Sequence, residues 1–141
     1  MMSARLQTSS RESVALIGQK LRVHLPSAYI DTLVRYPFPL DSDLARVILY
    51  ANPEKVVERN EYLRKHGFFA HPWPKHFLVI GDFENGDVIF LDTTRAAASV
   101  LVANHELSSG AVDLATEDTG FPLPEWTSAV AAAWEKEKKK K

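Results

Sequence analysis

The sequence contains no cysteine. Disulfides, thiolate zinc sites, iron–sulfur clusters and a cysteine nucleophile are therefore excluded. No segment approaches the roughly 18 consecutive apolar residues of a membrane span, and the first residues contain no apolar run of signal-peptide length. We therefore expect a cytoplasmic protein with no membrane partner.

Basic residues are scarce in one part of the chain. Residues 76–135 contain one basic residue, Arg95, and 10 acidic residues, whereas residues 1–75 and the Lys-rich tail 136–141 each carry a net charge of +4. A segment so poor in cations is unsuited to gripping nucleic-acid phosphates. Two interpretations stay open: the acids only keep the fold soluble, or they meet a basic partner through fast, salt-sensitive association.

The first half of the sequence predicts helices in a single domain, residues 1–141, with no clear linker. Ser9 and Glu12 form a capping-box pattern for a helix near 10–20, and "LPSAYIDTLVRYPF" predicts a second helix with Pro26 in its first turn. The apolar run "RVILYA" is typical of a short strand. Asn52 and the proline after it predict the start of a third helix, and Gly67 its end.

The second half predicts an antiparallel meander. "FLVIGD" and "DVIFLD" flank Asn85-Gly86, the strongest short-range hairpin signal, and "SVLVANHE" and "AVDLAT" predict further strands. "LPEWTSAVAAAWEKEKKKK" predicts a closing helix with Pro124 at its first position and an apolar stripe through Trp126, Val130, Ala133 and Trp134. The expected fold class is α+β, with the meander packed against N-terminal helices and a C-terminal helix.

Residues 81–93, "GDFENGDVIFLDT", have the composition of a metal loop but not its spacing. Counted from Asp82 as an EF-hand, the glycine falls at position 5 instead of 6, and position 12 is Thr93 instead of glutamate. Asp82 and Asp87 lie close across a tight hairpin, but a solvent-facing tip offers no burial to tune an acid–base pair. We interpret the acids as turn-forming residues.

No other pattern predicts catalysis, a cofactor or a metal. His66, His71 and His76 are spaced by five, which fits neither helical nor strand ligand spacing, so exposed loop histidines are expected. His105-Glu106 has no second histidine for the zinc-protease motif, and no glycine pattern forms a phosphate-binding loop.

The segment "HPWPKH" holds Trp73 between two prolines, which stiffen its backbone. An exposed, rigid tryptophan is a good interface anchor. A buried one instead fills the space between the hairpin and the helices. The sequence leaves both positions open for Trp73, an exposed anchor and a buried core residue.

The order of these segments resembles the SUKH superfamily, also called the SMI1/KNR4 family. The matching segments are "LPSAYIDTLV" (25–34), "HFLVIGDFENGDVIFLDT" (76–93), "VLVANHE" (100–106) and "LPEWTSAV" (123–130). Residues 37–67 depart from the family pattern, and no roles are assigned there.

This resemblance implies an α+β protein-binding domain without a catalytic set, and similar bacterial domains act as immunity proteins against secreted toxins, often nucleases. We therefore expect an immunity protein that binds and occludes a basic toxin domain. The alternatives are a regulatory or scaffold module of the same fold and a small metal-dependent hydrolase. The expected contact residues, chosen by charge and predicted exposure, are Glu84, Asp87, Glu106, Glu117 and Asp118, with Trp73 as an apolar anchor.

Overall fold

The computed structural model describes residues 9–69, 71–95, 99–108 and 116–139. The helices are α1 (Arg11–Leu21), α2 (Ser27–Val34), a π-helical turn (Leu44–Ile48), α3 (Pro53–His66), a short α4 (His105–Ser108) and α5 (Leu123–Lys139). The strands are β1 (Phe77–Asp82), β2 (Val88–Asp92), β3 (Ser99–Ala103) and β4 (Thr116–Pro122). All strand pairs are antiparallel, in the order β1-β2-β3-β4. The α+β prediction is confirmed.

The N-terminal helices begin where short polar or proline residues favour a start. Ser10, one residue later than predicted, caps α1 by accepting a hydrogen bond from the backbone N–H of Ser13. Pro26 precedes α2 as its N-cap and is not within its first turn. Asn52 caps α3, with proline in the first turn, and Gly67 follows its last residue, as the sequence predicts.

The apolar run "RVILYA" is not a strand, and this prediction is wrong. Residues 44–48 instead form a π-helical turn, in which the backbone N–H of Leu49 donates to the carbonyl of Leu44. One β-like contact remains, from the backbone N–H of Tyr50 to the carbonyl of Ile80 in β1. A short apolar run has no periodicity that separates the two structures.

The sheet forms the centre of the core. Four consecutive β2 residues, Val88 to Leu91, are buried, so both faces of this strand are covered. Helix α3 and the π-helical turn pack along β1, and α5 packs along β3 and β4. The predicted α5 stripe holds for Trp126, which is buried, whereas Ala133 is exposed.

A buried side chain pairs with the backbone of β1 on its free side, at Val79. Asn60 of α3 is fully buried, and its Oδ1 accepts from the backbone N–H of Val79 at 2.8 Å. Its Nδ2 donates to the carbonyls of Val79, at 2.9 Å, and Val56, at 2.8 Å. The outward N–H and carbonyl of Val79, which an edge strand would leave unpaired, are thereby satisfied within the chain.

The fourth strand is displaced from its predicted position. The sequence predicts "AVDLAT" (111–116), but β4 covers Thr116–Pro122, and residues 111–115 lie outside the described residues. Most of β4 is exposed, so it lacks the buried alternation that identifies a strand in a sequence. Within the described residues, no helix combines the length and apolar character needed to cross a membrane.

Candidate protein-binding surface at one end of the sheet

Strand register brings three separate segments of the chain to the same end of the sheet. Asp82 lies opposite Val88, Val88 opposite Ala103, and Ala103 opposite Thr116. The β1–β2 loop, the turn after β3 and the start of β4 therefore converge. We call this region the acidic sheet end and define it by six residues: Asp82, Glu84, Asp87, Glu106, Glu117 and Asp118.

The β1–β2 loop is longer than the tight turn that Asn-Gly alone predicts. It covers residues 83–87, and Glu84 within it adopts a positive φ of 66°. The carboxylate of Asp82 accepts from the backbone N–H of Glu84 at 2.8 Å, and the Asn85 side chain accepts from that of Asp87 at 2.9 Å. These local bonds hold the Glu84 side chain outward, where it is exposed.

Asp87 ties this loop to the turn after β3. Its Oδ1 accepts from the backbone N–H of His105 at 2.9 Å and lies 2.5 Å from His105 Nδ1. The Asp87 side chain is 16% exposed and that of His105 is 22% exposed. A Cβ on Gly86 would lie 2.8 Å from the His105 ring, so the loop backbone fits directly against the imidazole. The expectation that Asp87 faces solvent at a free hairpin tip is therefore wrong.

Asp82 is likewise held by a partner. The Tyr50 hydroxyl donates to Asp82 Oδ2 at 2.5 Å. Burial first, and then this hydrogen bond, raises the pKa of Tyr50 above its ordinary value, while Arg59 opposes the shift. The phenol is thus a permanent donor at neutral pH.

A mixed-charge cleft lies between α3 and the β1–β2 loop. Its volume is about 350 Å³. Lys55 and Arg59, one helical turn apart on α3, face the acids across it. It is lined by Val47, Lys55, Arg59, Asp82, Glu84, Gly86, Asp87 and Val88.

The remaining acids are presented by β4 and α4. Glu117 and Asp118 are exposed, and Glu117 accepts a 3.3 Å hydrogen bond from the Asn104 side chain. Glu106 is 83% exposed, with Oε1 3.9 Å from His105 Nε2. The β1–β2 loop, β4 and α4 therefore present carboxylates to solvent in one region.

Of the six predicted contact residues, five lie at the acidic sheet end and the sixth, Trp73, is buried in the core. Glu84, Glu106, Glu117 and Asp118 are exposed at the acidic sheet end, where Asp87 is half-buried. Trp73 is only 5% exposed.

The Trp73 ring belongs to an aromatic cluster. It lies 5.2 Å from the Phe90 ring and 5.8 Å from the Phe68 ring, and its Nε1 donates to the carbonyl of Phe77. Of the two interpretations, the structure has the buried one, and Trp73 offers partners no exposed anchor.

The residues opposite the acids were not predicted from the sequence. Tyr50, Lys55 and Arg59 all lie in the segment 37–67, to which no roles were assigned. The i, i+4 spacing of Lys55 and Arg59 shows that they share a helix face. Nothing in the sequence indicates that this face meets the hairpin.

The histidines divide between the surface and the interior. His66 and His76 are exposed as expected, but His71 is buried, and that part of the prediction is wrong. Its backbone pairs with that of Phe68 in an isolated antiparallel bridge. The described residues contain no group of three His, Asp or Glu side chains placed to hold a metal ion.

Comparison of this chain with models of known protein families, with curated proteins and with solved structures finds no match.

Proposed function

We propose that this chain is an immunity protein that binds a basic toxin domain stoichiometrically and occludes its functional surface in the cytoplasm. The observation that supports this most is the convergence of acids on one end of the sheet. The proposal also takes up the resemblance to the SUKH superfamily expected from the sequence, although no family model matches this chain.

The charge of this region favours a basic partner. Six carboxylates belong to the acidic sheet end, and the cations lining the adjacent cleft are Lys55 and Arg59. Lys55 is partly engaged, because its Nζ donates to the carbonyl of Arg46 at 2.8 Å. The resulting negative field attracts a basic protein from a distance and speeds association.

A nuclease toxin fits this surface because an enzyme that holds phosphates needs a positively charged groove. In the proposed complex, exposed carboxylates on β4 and α4 lie in the toxin groove where substrate phosphates would bind. The toxin cannot cleave them. Binding there blocks the substrate by competition, and no chemistry is required of the chain itself.

The first experiment is co-expression with the product of the adjacent gene in cells that lack this protein. We expect the neighbour to kill those cells, the two proteins to co-purify in equal amounts, and this chain to restore growth. Co-purification without protection supports the regulatory-module alternative. Growth arrest that this chain does not relieve contradicts the immunity proposal.

The surface is tested by removing charge. The variant Glu84→Gln/Glu106→Gln/Glu117→Gln/Asp118→Asn neutralises the exposed acids of the acidic sheet end. Since loss of a rim charge acts mainly on association, we expect slower binding and a weaker salt dependence.

The matched control removes four exposed acids elsewhere: Glu12→Gln, Glu125→Gln, Glu135→Gln and Glu137→Gln. Both variants have the same net charge, so a difference between them reports location. Equal effects, or a wild-type affinity that does not change between low and physiological salt, contradict the assigned surface.

A further inference from the structure

We propose that Phe69 is the apolar anchor of the acidic sheet end and that it receives an arginine side chain of the basic partner. This inference rests on the proposed function and names the chemistry by which the surface would recognise that partner. It assigns to Phe69 the anchoring role that the sequence suggested for Trp73.

The Phe69 ring is exposed yet held in place. It is 49% exposed. Its centroid lies 5.3 Å from the His105 ring, at an interplanar angle of 39°, and 5.0 Å from the Phe68 ring, at 85°. A ring fixed on two sides loses little conformational freedom when a partner covers the open part, which is the usual property of an interface anchor.

The backbone conformation at position 69 is one that phenylalanine rarely adopts. Phe68 and His71 exchange backbone hydrogen bonds of 2.7 and 3.0 Å, and Phe69 therefore lies within a tight turn. Phe69 has a φ of 47°, in the left-handed region that glycine and asparagine adopt most readily. The positive φ therefore disfavours an aromatic residue here. Because the ring is half-exposed, its packing offsets only part of this backbone strain.

The neighbouring charges specify the occupant. Asp87 holds the His105 ring that supports Phe69, and Glu106 Oε1 lies 3.9 Å from Nε2 of the same ring. A guanidinium group can stack on an aromatic face while donating to a carboxylate at its edge. An ammonium group is a compact, strongly hydrated charge that stacks less well, so this arrangement favours arginine over lysine.

The test uses two probes of equal charge, a nonapeptide of arginine and a nonapeptide of lysine. Each is titrated into the full chain at low salt while backbone amide signals are followed by NMR. We expect the arginine peptide to bind about two- to fivefold more tightly, with shifts at Phe69, His105 and Glu106.

Two substitutions at Phe69 separate recognition from folding. Phe69→Leu keeps an apolar side chain without a π face, and we expect it to reduce the affinity for arginine peptide to that for lysine peptide. Phe69→Gly suits the positive φ, so its unfolding midpoint should equal or exceed that of the wild type while arginine binding falls. Phe121→Leu changes another exposed phenylalanine, which lies on β4 but outside the acidic sheet end, and should leave binding unchanged.

The outcomes distinguish this inference from the proposed function. If both peptides bind the acidic sheet end equally, the inference fails while the acidic docking surface stands. Absence of peptide binding, or equal effects of Phe69→Leu and Phe121→Leu, also overturns it, whereas the immunity proposal is decided by co-expression with the neighbouring gene product.

Discussion

Asp87 Oδ1 contacts both the backbone N–H and the ring Nδ1 of His105, so one carboxylate oxygen joins the β1–β2 loop to the turn that follows β3. These two contacts hold the imidazole of His105 against the loop. The spacing of Glu84 and Glu106 in the candidate surface therefore depends on a contact between residues 18 positions apart.

Removal of this contact should destabilise the fold. We expect Asp87→Ala to lower the free energy of unfolding by about 2 kcal/mol, because two donors of a half-buried group lose their charged acceptor. Urea denaturation measures this change. Asp118→Ala removes an exposed carboxylate and should cost less than about 1 kcal/mol, since water replaces it. Equal costs for the two variants would show that the Asp87–His105 contact contributes little.

Asn60 offers a second stability prediction. Asn60→Ala leaves the N–H and the carbonyl of Val79 without their buried partner, and we expect a loss of about 3 kcal/mol. Hydrogen exchange should also become faster at the Val79 amide than at β2 amides. Asn85→Ala, which removes an exposed hydrogen bond from the backbone N–H of Asp87, is the matched control. A cost no greater than that of the control contradicts the role of Asn60.

Removal of the hydroxyl group should change the stability in opposite directions at two tyrosines. The Tyr29 hydroxyl is buried without a hydrogen-bond partner among the described residues, whereas the Tyr36 hydroxyl donates to the carbonyl of Leu49. We expect Tyr29→Phe to stabilise the protein by about 1 kcal/mol and Tyr36→Phe to destabilise it by about 1 kcal/mol. Thermal unfolding of both variants tests the sign, and a destabilised Tyr29→Phe contradicts the assignment.

Three buried or partly buried tyrosines predict an alkaline limit to stability. Burial raises the pKa of Tyr29, Tyr36 and Tyr50 above the ordinary value. The folded state therefore keeps protons that the unfolded state releases, so their contribution is complete below about pH 10 and is lost as the pH rises further. Urea midpoints measured from pH 8 to 11 should remain level and then fall above about pH 10. Tyr29→Phe should reduce the fall.

Local signals predicted the elements that begin and end with distinctive residues. The Asn52-Pro53 start and Gly67 end of α3, and the strands flanking Asn85-Gly86, follow from capping and turn chemistry that acts within a few residues. The π-helical turn at 44–48 did not follow, because a short apolar run fits several structures.

The acids of the candidate site were predictable from the sequence, but the residues that contact them within the chain were not. Exposure of Glu84 follows from its position in the hairpin loop, whereas Glu106 lies in α4, within a segment that the sequence predicts as strand. The Tyr50–Asp82 contact joins residues 32 positions apart, and the Asp87–His105 contact depends on strand register and loop length together. Such contacts are set by the packing of α3 and β3 against the hairpin, which hydrophobic periodicity does not encode. Burial of Trp73 was likewise undecided until the aromatic rings around it were placed.

The convergence of three chain segments has a thermodynamic consequence. The β1–β2 loop, α4 and the start of β4 come together only in the folded chain, so a partner that spans them binds the native state and not the unfolded one. At a free concentration one hundred times its dissociation constant, such a partner adds about 2.7 kcal/mol to the free energy of unfolding. The melting temperature of this chain should therefore rise with the amount of cell extract added, if the extract contains the partner. Such a rise would detect the partner before its activity is known.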